Sequence, residues 1–398
     1  MLGAGVFAAF GPAAAAAGSG LLWGLVLAAL VAAGNATSSA QLAAVHPESG
    51  GAYVYGRRQL GRGWGVLAGW AFVSGKTASC AAMALTFAAY TAPPLTRPLA
   101  VAAVVGVAAL NLGGVSRTAR ATRVLVVAVV AVLALVVVAC SFGGSADLRR
   151  VDLGSVGPGG VGGVLEAAGL LFFAFTGYAR VATLGEEVVD PARTIPRAIP
   201  LALGLALAVY VAVGVSALAA AGPQVLADSP APLAAAVSTG DLAPLAPVVR
   251  VGAALASLGV LVALVPGVSR TTFAMAADGE VPRWLAAVHP RTHVPARAQL
   301  VVAAVVVAVV LAADVRGAIG FSSFNVLAYY AVANASALRL APGQRRWPRW
   351  WAAGGLAGCL LLAVNLPPAS VVGGAVVLGV ATVGYGLRER ASCLGRRR

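Results

Sequence analysis

At 398 residues, 60% apolar and only 10% charged, with a mean hydropathy of +0.90, the chain excludes a soluble globular domain. Repeated apolar runs near the ~18–20 residues that cross a bilayer place it among polytopic α-helical membrane proteins. The net charge of +15 does not imply nucleic acid: 27 of the 28 basic residues are arginine and one is lysine, and their placement carries the information.

The first predicted span covers residues 1–17. It opens at Met1 without a polar leader and reads as clipped on its N-terminal side; no cleavable signal peptide is evident. Gly3-Ala4-Gly5-Val6-Phe7, followed by Gly11-Pro12, makes this helix breakable, since glycine costs about 1 kcal/mol and proline about 3 relative to alanine. Span two runs over 20–44, ending before His46-Pro47, and span three over 64–90, closed by Pro93-Pro94. Lys76, the single lysine, sits in the middle of span three. A central lysine costs roughly 2.5–3.5 kcal/mol on insertion scales, and such residues usually face the bundle or a cavity. Substrate binding or coupling is one reading of Lys76; a structural donor to carbonyls of a broken helix is the other.

Spans four and five cover 98–114 and 123–142, and span six 164–184. Glu166, near the start of span six, is either a proton acceptor or outer-gate partner, or an interfacial residue favoured at a helix N-terminus. The first half of span six is apolar and aromatic, with Leu171, Phe172, Phe173 and Phe175. Thr176-Gly177 is then a weak point. Unwound backbone in a bilayer is tolerated only against protein or a water-filled cavity. A break flanked by Phe173, Phe175 and Tyr178 therefore reads as a binding site; the alternative is a glycine that packs against a neighbouring helix. Asp190-Pro191 reads as an N-cap with proline at the first helical position.

Span seven covers 200–221, a polar loop 222–244, and span eight 245–268 with Ser257 the only oxygen-bearing side chain in its middle. Spans nine to twelve cover 298–313, 318–338, 350–365 and 369–387. In span ten, Asn325 is a plausible substrate contact, while Tyr329 and Tyr330 either line a pocket or pack as aromatics. Segments after even-numbered spans carry 21 arginines; the opposite loops carry four, Arg97, Arg149, Arg150 and Arg316. The bias puts the even-numbered exits and the C-terminus in the cytoplasm.

The cysteines (Cys80, Cys140, Cys359 and Cys393) show no CxxC spacing, and the three histidines fall in connecting segments. With no metal constellation and no nucleophile–base pair, the sequence points away from an enzyme. Two glycine-interrupted helices five spans apart point instead to an inverted-repeat transporter. In such a fold the free N–H groups of one half-helix attract a carboxylate. The open carbonyls of the other accept from an ammonium group, so a zwitterionic amino acid fits both ends.

Further motifs occur in order: Pro47-Glu48-Ser49-Gly50-Gly51-Ala52-Tyr53, Gly69-Trp70, Phe173-Ala174-Phe175-Thr176-Gly177-Tyr178, Glu186-Glu187-Val188 with Asp190-Pro191, Ile195-Pro196-Arg197, and Ser269-Arg270 with Ala276-Ala277-Asp278-Gly279. With the span-one glycines they resemble the amino acid–polyamine–organocation (APC) permeases over nearly the whole chain. The resemblance implies an all-α polytopic membrane protein with a five-plus-five inverted repeat and two trailing helices, about twelve spans with the first truncated. The divisions are residues 1–142, 143–340 and 341–398. It implies alternating access, with Gly3, Ala4 and Gly5, joined by Val6, at the substrate carboxylate. Phe173, Phe175 and Thr176, with Gly177 and Tyr178, line the rest, and Lys76 and Asn325 complete the candidate set.

Two departures bear on coupling. Ala179 and Arg180 stand where many members carry a glutamate, and span five holds no lysine. Coupling to H+ or Na+ stays open, and no cofactor is expected. The expected function is secondary transport of amino acids across the inner membrane, with the bilayer and a small amino acid as partners. The alternatives are a non-transporting sensor or degenerate paralogue, and a transporter of polyamine or cationic substrates.

Overall fold

The computed structural model describes residues 3–48, 50–114, 119–154, 157, 159–178 and 191–395. Among them are fourteen α-helices and no β-strand. In chain order these are α1 (Gly5–Ala17), α2 (Leu21–Val45), α3 (Ala52–Gln59), α4 (Arg62–Thr91), α5 (Thr96–Leu112), α6 (Ala119–Phe142), α7 (Gly160–Phe175), α8 (Pro191–Asp228), α9 (Pro232–Val237), α10 (Ala246–Ala277), α11 (Ala296–Ala312), α12 (Val315–Leu338), α13 (Arg349–Val364) and α14 (Pro368–Gly395). All but the short α3 and α9 overlap a predicted span.

Six segments are long and apolar enough to cross a membrane: Gly5–Val45, Pro93–Leu112, Arg123–Phe142, Pro200–Asp228, Ala243–Ala277 and Pro368–Leu387. Helices α4 and α12 are not among them, although they pack most heavily on each other and form the centre of the bundle. Their position explains their composition. A helix walled by other helices can carry hydroxyls and amides, provided each finds an acceptor. Thr77, Ser79 and Thr86 donate to carbonyls four residues back, at 2.7, 3.1 and 2.7 Å. Ser79 also bonds Ser322 across the α4–α12 contact at 2.7 Å.

Three boundaries differ from expectation. Helix α1 runs through Gly11-Pro12 without a break. Proline removes one donor, but the missing Cβ of Gly11 lets the Leu226 carbonyl pack at 3.1 Å from where that atom would sit, so the pair is used for close packing. Helix α8 starts at Pro191 and its first stretch ends at the expected 221, where Gly222 (φ 76°, ψ 167°) is non-helical; a further helical stretch, absent from the expectation, continues to Asp228. Helix α14 reaches Gly395. Asp190 lies outside the described residues.

A buried polar joint ties α2, α12 and α13 together. Asn334 donates to the Asn35 side-chain oxygen at 2.6 Å, and the Cys359 thiol donates to the same oxygen at 3.1 Å. Gly34 and Gly355 let the helices approach: a Cβ on Gly34 would lie 2.9 Å from Gly355 Cα. This is small-residue packing as found in membrane bundles.

Candidate functional site at the α1–α7 junction

The two helices flagged as breakable pack side by side and antiparallel, Gly5 of α1 against Ala174 of α7 and Ala16 against Gly163, so the start of α1 lies beside the end of α7. Gly3 and Ala4 lie in a bend and a turn, and helical geometry begins at Gly5. Helix α7 stops at Phe175 and tightens into a 3₁₀ turn over Thr176–Tyr178. The Thr176 hydroxyl donates to the Phe173 carbonyl at 2.9 Å, which closes the last turn. Residues 179–190, including Ala179, Arg180, Glu186 and Glu187, lie outside the described residues.

Gly5 makes the contact. A Cβ there would stand 2.7 Å from the Ala174 Cα and 3.2 Å from its Cβ. The start of α1 thus lies beside the end of α7; the Phe7 N–H is taken by the Ala4 carbonyl, and the Phe173 carbonyl by Thr176. The helix dipoles add a partial positive charge on one side and a partial negative charge on the other. Phe173 and Phe175 flank the contacted Ala174.

Two tyrosines hold the junction. The Tyr210 hydroxyl on α8 donates to the Ala174 carbonyl at 3.2 Å, with the Gly3 main chain as its other neighbour. The Tyr90 hydroxyl, at the end of α4, donates to the Phe7 carbonyl at 3.1 Å and accepts from the Leu233 N–H of α9 at 3.3 Å. Edge-to-face ring pairs complete the walls: Phe175–Tyr210 at 5.3 Å, Phe7–Tyr90 at 6.0 Å and Phe172–Tyr330 at 6.1 Å. Ala4, Val6, Phe173, Phe175 and Thr176 are buried, and Gly177 is exposed. Tyr178 is placed by its main chain only.

Lys76 lies on α4 and Asn325 on α12, away from this junction; Asn325 sits on the α4–α12 interface. The Asn325 amide donates to the Phe321 carbonyl at 2.9 Å, and its oxygen accepts from the Ser74 hydroxyl at 3.0 Å. Gly75 gives it room, with Asn325 Cβ 3.0 Å from where a Gly75 Cβ would be. The amide nitrogen is thus engaged within α12 and the oxygen across to α4. Lys76 is buried and has no hydrogen bond or ion pair to another described residue. Helix α12 links the two groups, since Tyr330 packs on Phe172 while Tyr329 packs on Phe72 of α4 at 5.4 Å.

Charged contacts lie on either side. Glu166 of α7 pairs with Arg316 of α12, which supplies the partner that the sequence alone did not name. On the arginine-rich side, α3 is clamped to the end of α10. Tyr53 donates to Asp278 at 2.6 Å, Arg57 pairs with Asp278 at 2.7 Å and with Glu280 at 2.8 Å, and the guanidinium lies over the Tyr53 ring at 4.8 Å. Burial pushes the Tyr53 hydroxyl above its ordinary pKa, and its bond to Asp278 adds to this. Burial also works to raise Asp278, but the hydrogen bonds from Tyr53 and Arg57 outweigh it and leave that carboxyl below its ordinary value. For Glu280 burial prevails over the same neighbours, and its pKa is raised.

The sequence does not point to Asp278, Glu280, Tyr53, Arg57, Tyr90 or Tyr210 as linking residues. The only signal for the last two was a phenol inside an apolar span, which needs a partner when buried.

A bundle of apolar helices, six segments of it long enough to cross a membrane, marks a polytopic membrane protein. A family model for amino acid permeases matches residues 1–383, and the chain belongs to that family, within the APC superfamily. It is a family of transporters, not enzymes. An uncharacterized transporter of Mycobacterium tuberculosis (strain H37Rv) is 60% identical over 389 residues, covering 98% of this chain and 88% of the relative. The branched-chain amino acid permease BcaP of Bacillus subtilis is 26% identical over 325 residues, 74% of this chain and 68% of the relative. The chloroplastic cationic amino acid transporter 7 of Arabidopsis thaliana is 27% identical over 367 residues, 85% and 63% respectively.

Proposed function

We propose that the chain carries amino acids across the plasma membrane by alternating access, with the substrate held at the α1–α7 junction. The observation that carries this is the apposition of Gly5 and Ala174, which sets the positive, N-terminal end of the α1 dipole beside the negative, C-terminal end of α7. An α-carboxylate suits the first and an α-ammonium the second. On this reading Gly3, Ala4, Gly5 and Val6 hold the carboxylate. Phe173, Phe175, Thr176, Gly177 and Tyr178 frame the remainder, and Lys76 and Asn325 border the site from α4 and α12. The Glu166–Arg316 pair and the Tyr53–Arg57–Asp278–Glu280 cluster then act as gates on its two sides.

A five-plus-five repeat is supported by the order of elements. The first five long helices (α1, α2, α4, α5, α6) carry a short helix, α3, after their second member. The next five (α7, α8, α10, α11, α12) carry a short helix, α9, at the same place. Helices α13 and α14 trail. The arginine bias puts α3 and the C-terminus on the cytoplasmic side.

No acidic side chain stands among the described residues at the junction, which favours neutral over cationic substrates. The name of the Arabidopsis relative favours cationic ones. Reconstituted full-length protein decides: vesicles should accumulate labelled leucine or alanine, and excess arginine should not compete. Imposing a pH or a sodium gradient in the same vesicles identifies the coupling ion. Binding without accumulation would overturn the transport reading in favour of a sensor.

A further inference from the structure

Helix α10 carries an arginine, Arg250, in its second turn. Ionisable residues inside membrane spans face the bundle or a water-filled cavity and mark substrate paths. Arg250 shares a helix face with Ala246, Val249 and Ala253, which are buried. The opposite face, with Val248, Val251 and Leu255, is exposed. Arg250 is thus turned into the bundle, and it is itself partly buried. Its charge acts on the Tyr90 hydroxyl, whose side chain is 1% exposed. That hydroxyl joins the Phe7 carbonyl of α1, about one turn from Gly3, to the Leu233 N–H of α9. Helix α9 packs on both α1 and α10.

Arg250 makes no hydrogen bond or ion pair with another described residue. The acids at its end of the bundle are placed elsewhere. Glu166 pairs with Arg316, Asp228 accepts from Gln224 at 2.9 Å, and Asp147, Asp152 and Asp314 accept from the main-chain N–H groups of Arg149, Gly154 and Gly317. The Asp241 carboxylate lies against Gly144. The connecting segments of this end, 143–159 and 222–245, leave only Ser155, Val156 and Pro158 outside the described residues, none of them acidic. Asp278 and Glu280 follow the other end of α10, about 42 Å away along the helix axis.

We propose that Arg250 selects substrates by charge on the outer approach to the junction: its guanidinium takes the carboxylate of an incoming amino acid and turns away substrates of net positive charge. A guanidinium fork is a matched, charge-assisted partner for a carboxylate. A neutral amino acid brings that carboxylate and keeps its ammonium for the carbonyl end of α7. An arginine brings a further positive charge up to Arg250 in a partly water-excluded space, where like charges repel more strongly than in water. A polyamine has no carboxylate to offset the repulsion. The substrate class rests on the transport reading; the placing of the charge does not.

The reactivity of an introduced thiol tests the charge without transport. Full-length protein with Ala246→Cys, one turn before Arg250, and Cys393→Ser is treated in right-side-out proteoliposomes with membrane-impermeant methanethiosulfonates of either charge; Cys80, Cys140 and Cys359 are buried. Relative to a free thiol, the anionic reagent should react about tenfold faster than the cationic one, the low end of what a charged cleft does to an encounter rate. Arg250→Gln should abolish the preference. In vesicles that accumulate labelled leucine, Arg250→Gln should raise KM about tenfold with kcat kept, the low end for one lost charge-assisted bond. Excess arginine should then begin to compete, whereas Arg250→Lys should still keep it out. The proposal is overturned by an Ala246→Cys thiol that does not react, by a charge preference that Arg250→Gln leaves intact, or by Arg250→Gln vesicles that still exclude arginine. It is overturned too by a preference that disappears when phosphatidylglycerol is added to phosphatidylcholine vesicles, since a lipid headgroup would then hold Arg250. Absence of leucine uptake by the wild type would sink the transport reading, and the thiol rates would still decide the role of Arg250.

Discussion

Gly5→Ala is the sharpest test of the junction. The added Cβ would stand 2.7 Å from Ala174 Cα, against 3.4–4 Å for ordinary contact. The atom in the way is backbone, so no side chain can rotate aside, and α1 and α7 must part by about 0.7 Å or more; overpacking of this kind costs about 1–3 kcal/mol. Where function depends on fitted geometry, a misplacement of about 1 Å costs on the order of 100-fold. Uptake into proteoliposomes should therefore fall by roughly 10- to 100-fold, with a lower thermal midpoint in detergent. Ala174→Gly should not restore it, because it removes the Cβ at 3.2 Å and leaves the Cα at 2.7 Å. Gly106→Ala and Gly354→Ala meet nothing within 4 Å and should gain about 0.5–1 kcal/mol of helix stability. Wild-type uptake by Gly5→Ala with an unchanged midpoint, or full rescue by Ala174→Gly, would refute the reasoning.

Arg57→Ala takes the guanidinium from Glu280, whose side chain is 1% exposed, and should lower stability by about 3 kcal/mol, the low end for a broken buried pair. Adding Glu280→Gln should recover most of the loss in thermal unfolding, because the Asp278 limb is 42% exposed and contributes about 0–1 kcal/mol. The two carboxylates also give opposite pH slopes. Between the ordinary glutamate value and its raised folded value, Glu280 keeps a proton that the unfolded chain releases, so stability falls as pH rises through that window. Asp278 is depressed, so its contribution is present above the ordinary aspartate value and is lost as pH falls through its folded value. Glu280→Gln should abolish the first slope and Asp278→Asn the second, read as thermal midpoint against pH; unchanged slopes would count against the assignment. Tyr90→Phe should cost about 1–3 kcal/mol by leaving a buried donor on α9 without a partner, and should raise hydrogen exchange at Leu233. Gly355→Ala should destabilise by about 1–3 kcal/mol, since its Cβ would lie 2.6 Å from the Asn334 side-chain oxygen.

The sequence alone carried the membrane class, the helical segments and the places where α1 starts and α7 stops. Hydropathy, arginine asymmetry and the weakness of Gly3-Ala4-Gly5 and Thr176-Gly177 are local properties, set by each residue's cost in lipid or in a helix. Local propensity also misled: Gly11-Pro12 read as a break, yet α1 runs through it, packed against the Leu226 carbonyl. What only the tertiary structure decided is which ends meet. That Gly5 lies on Ala174, that Tyr90 and Tyr210 bridge main-chain groups far apart in sequence, and that Arg57 belongs to Asp278 and Glu280 depend on contacts between distant segments. No periodicity encodes such contacts, because a buried polar group needs a partner and the sequence does not say where in the fold it will be found.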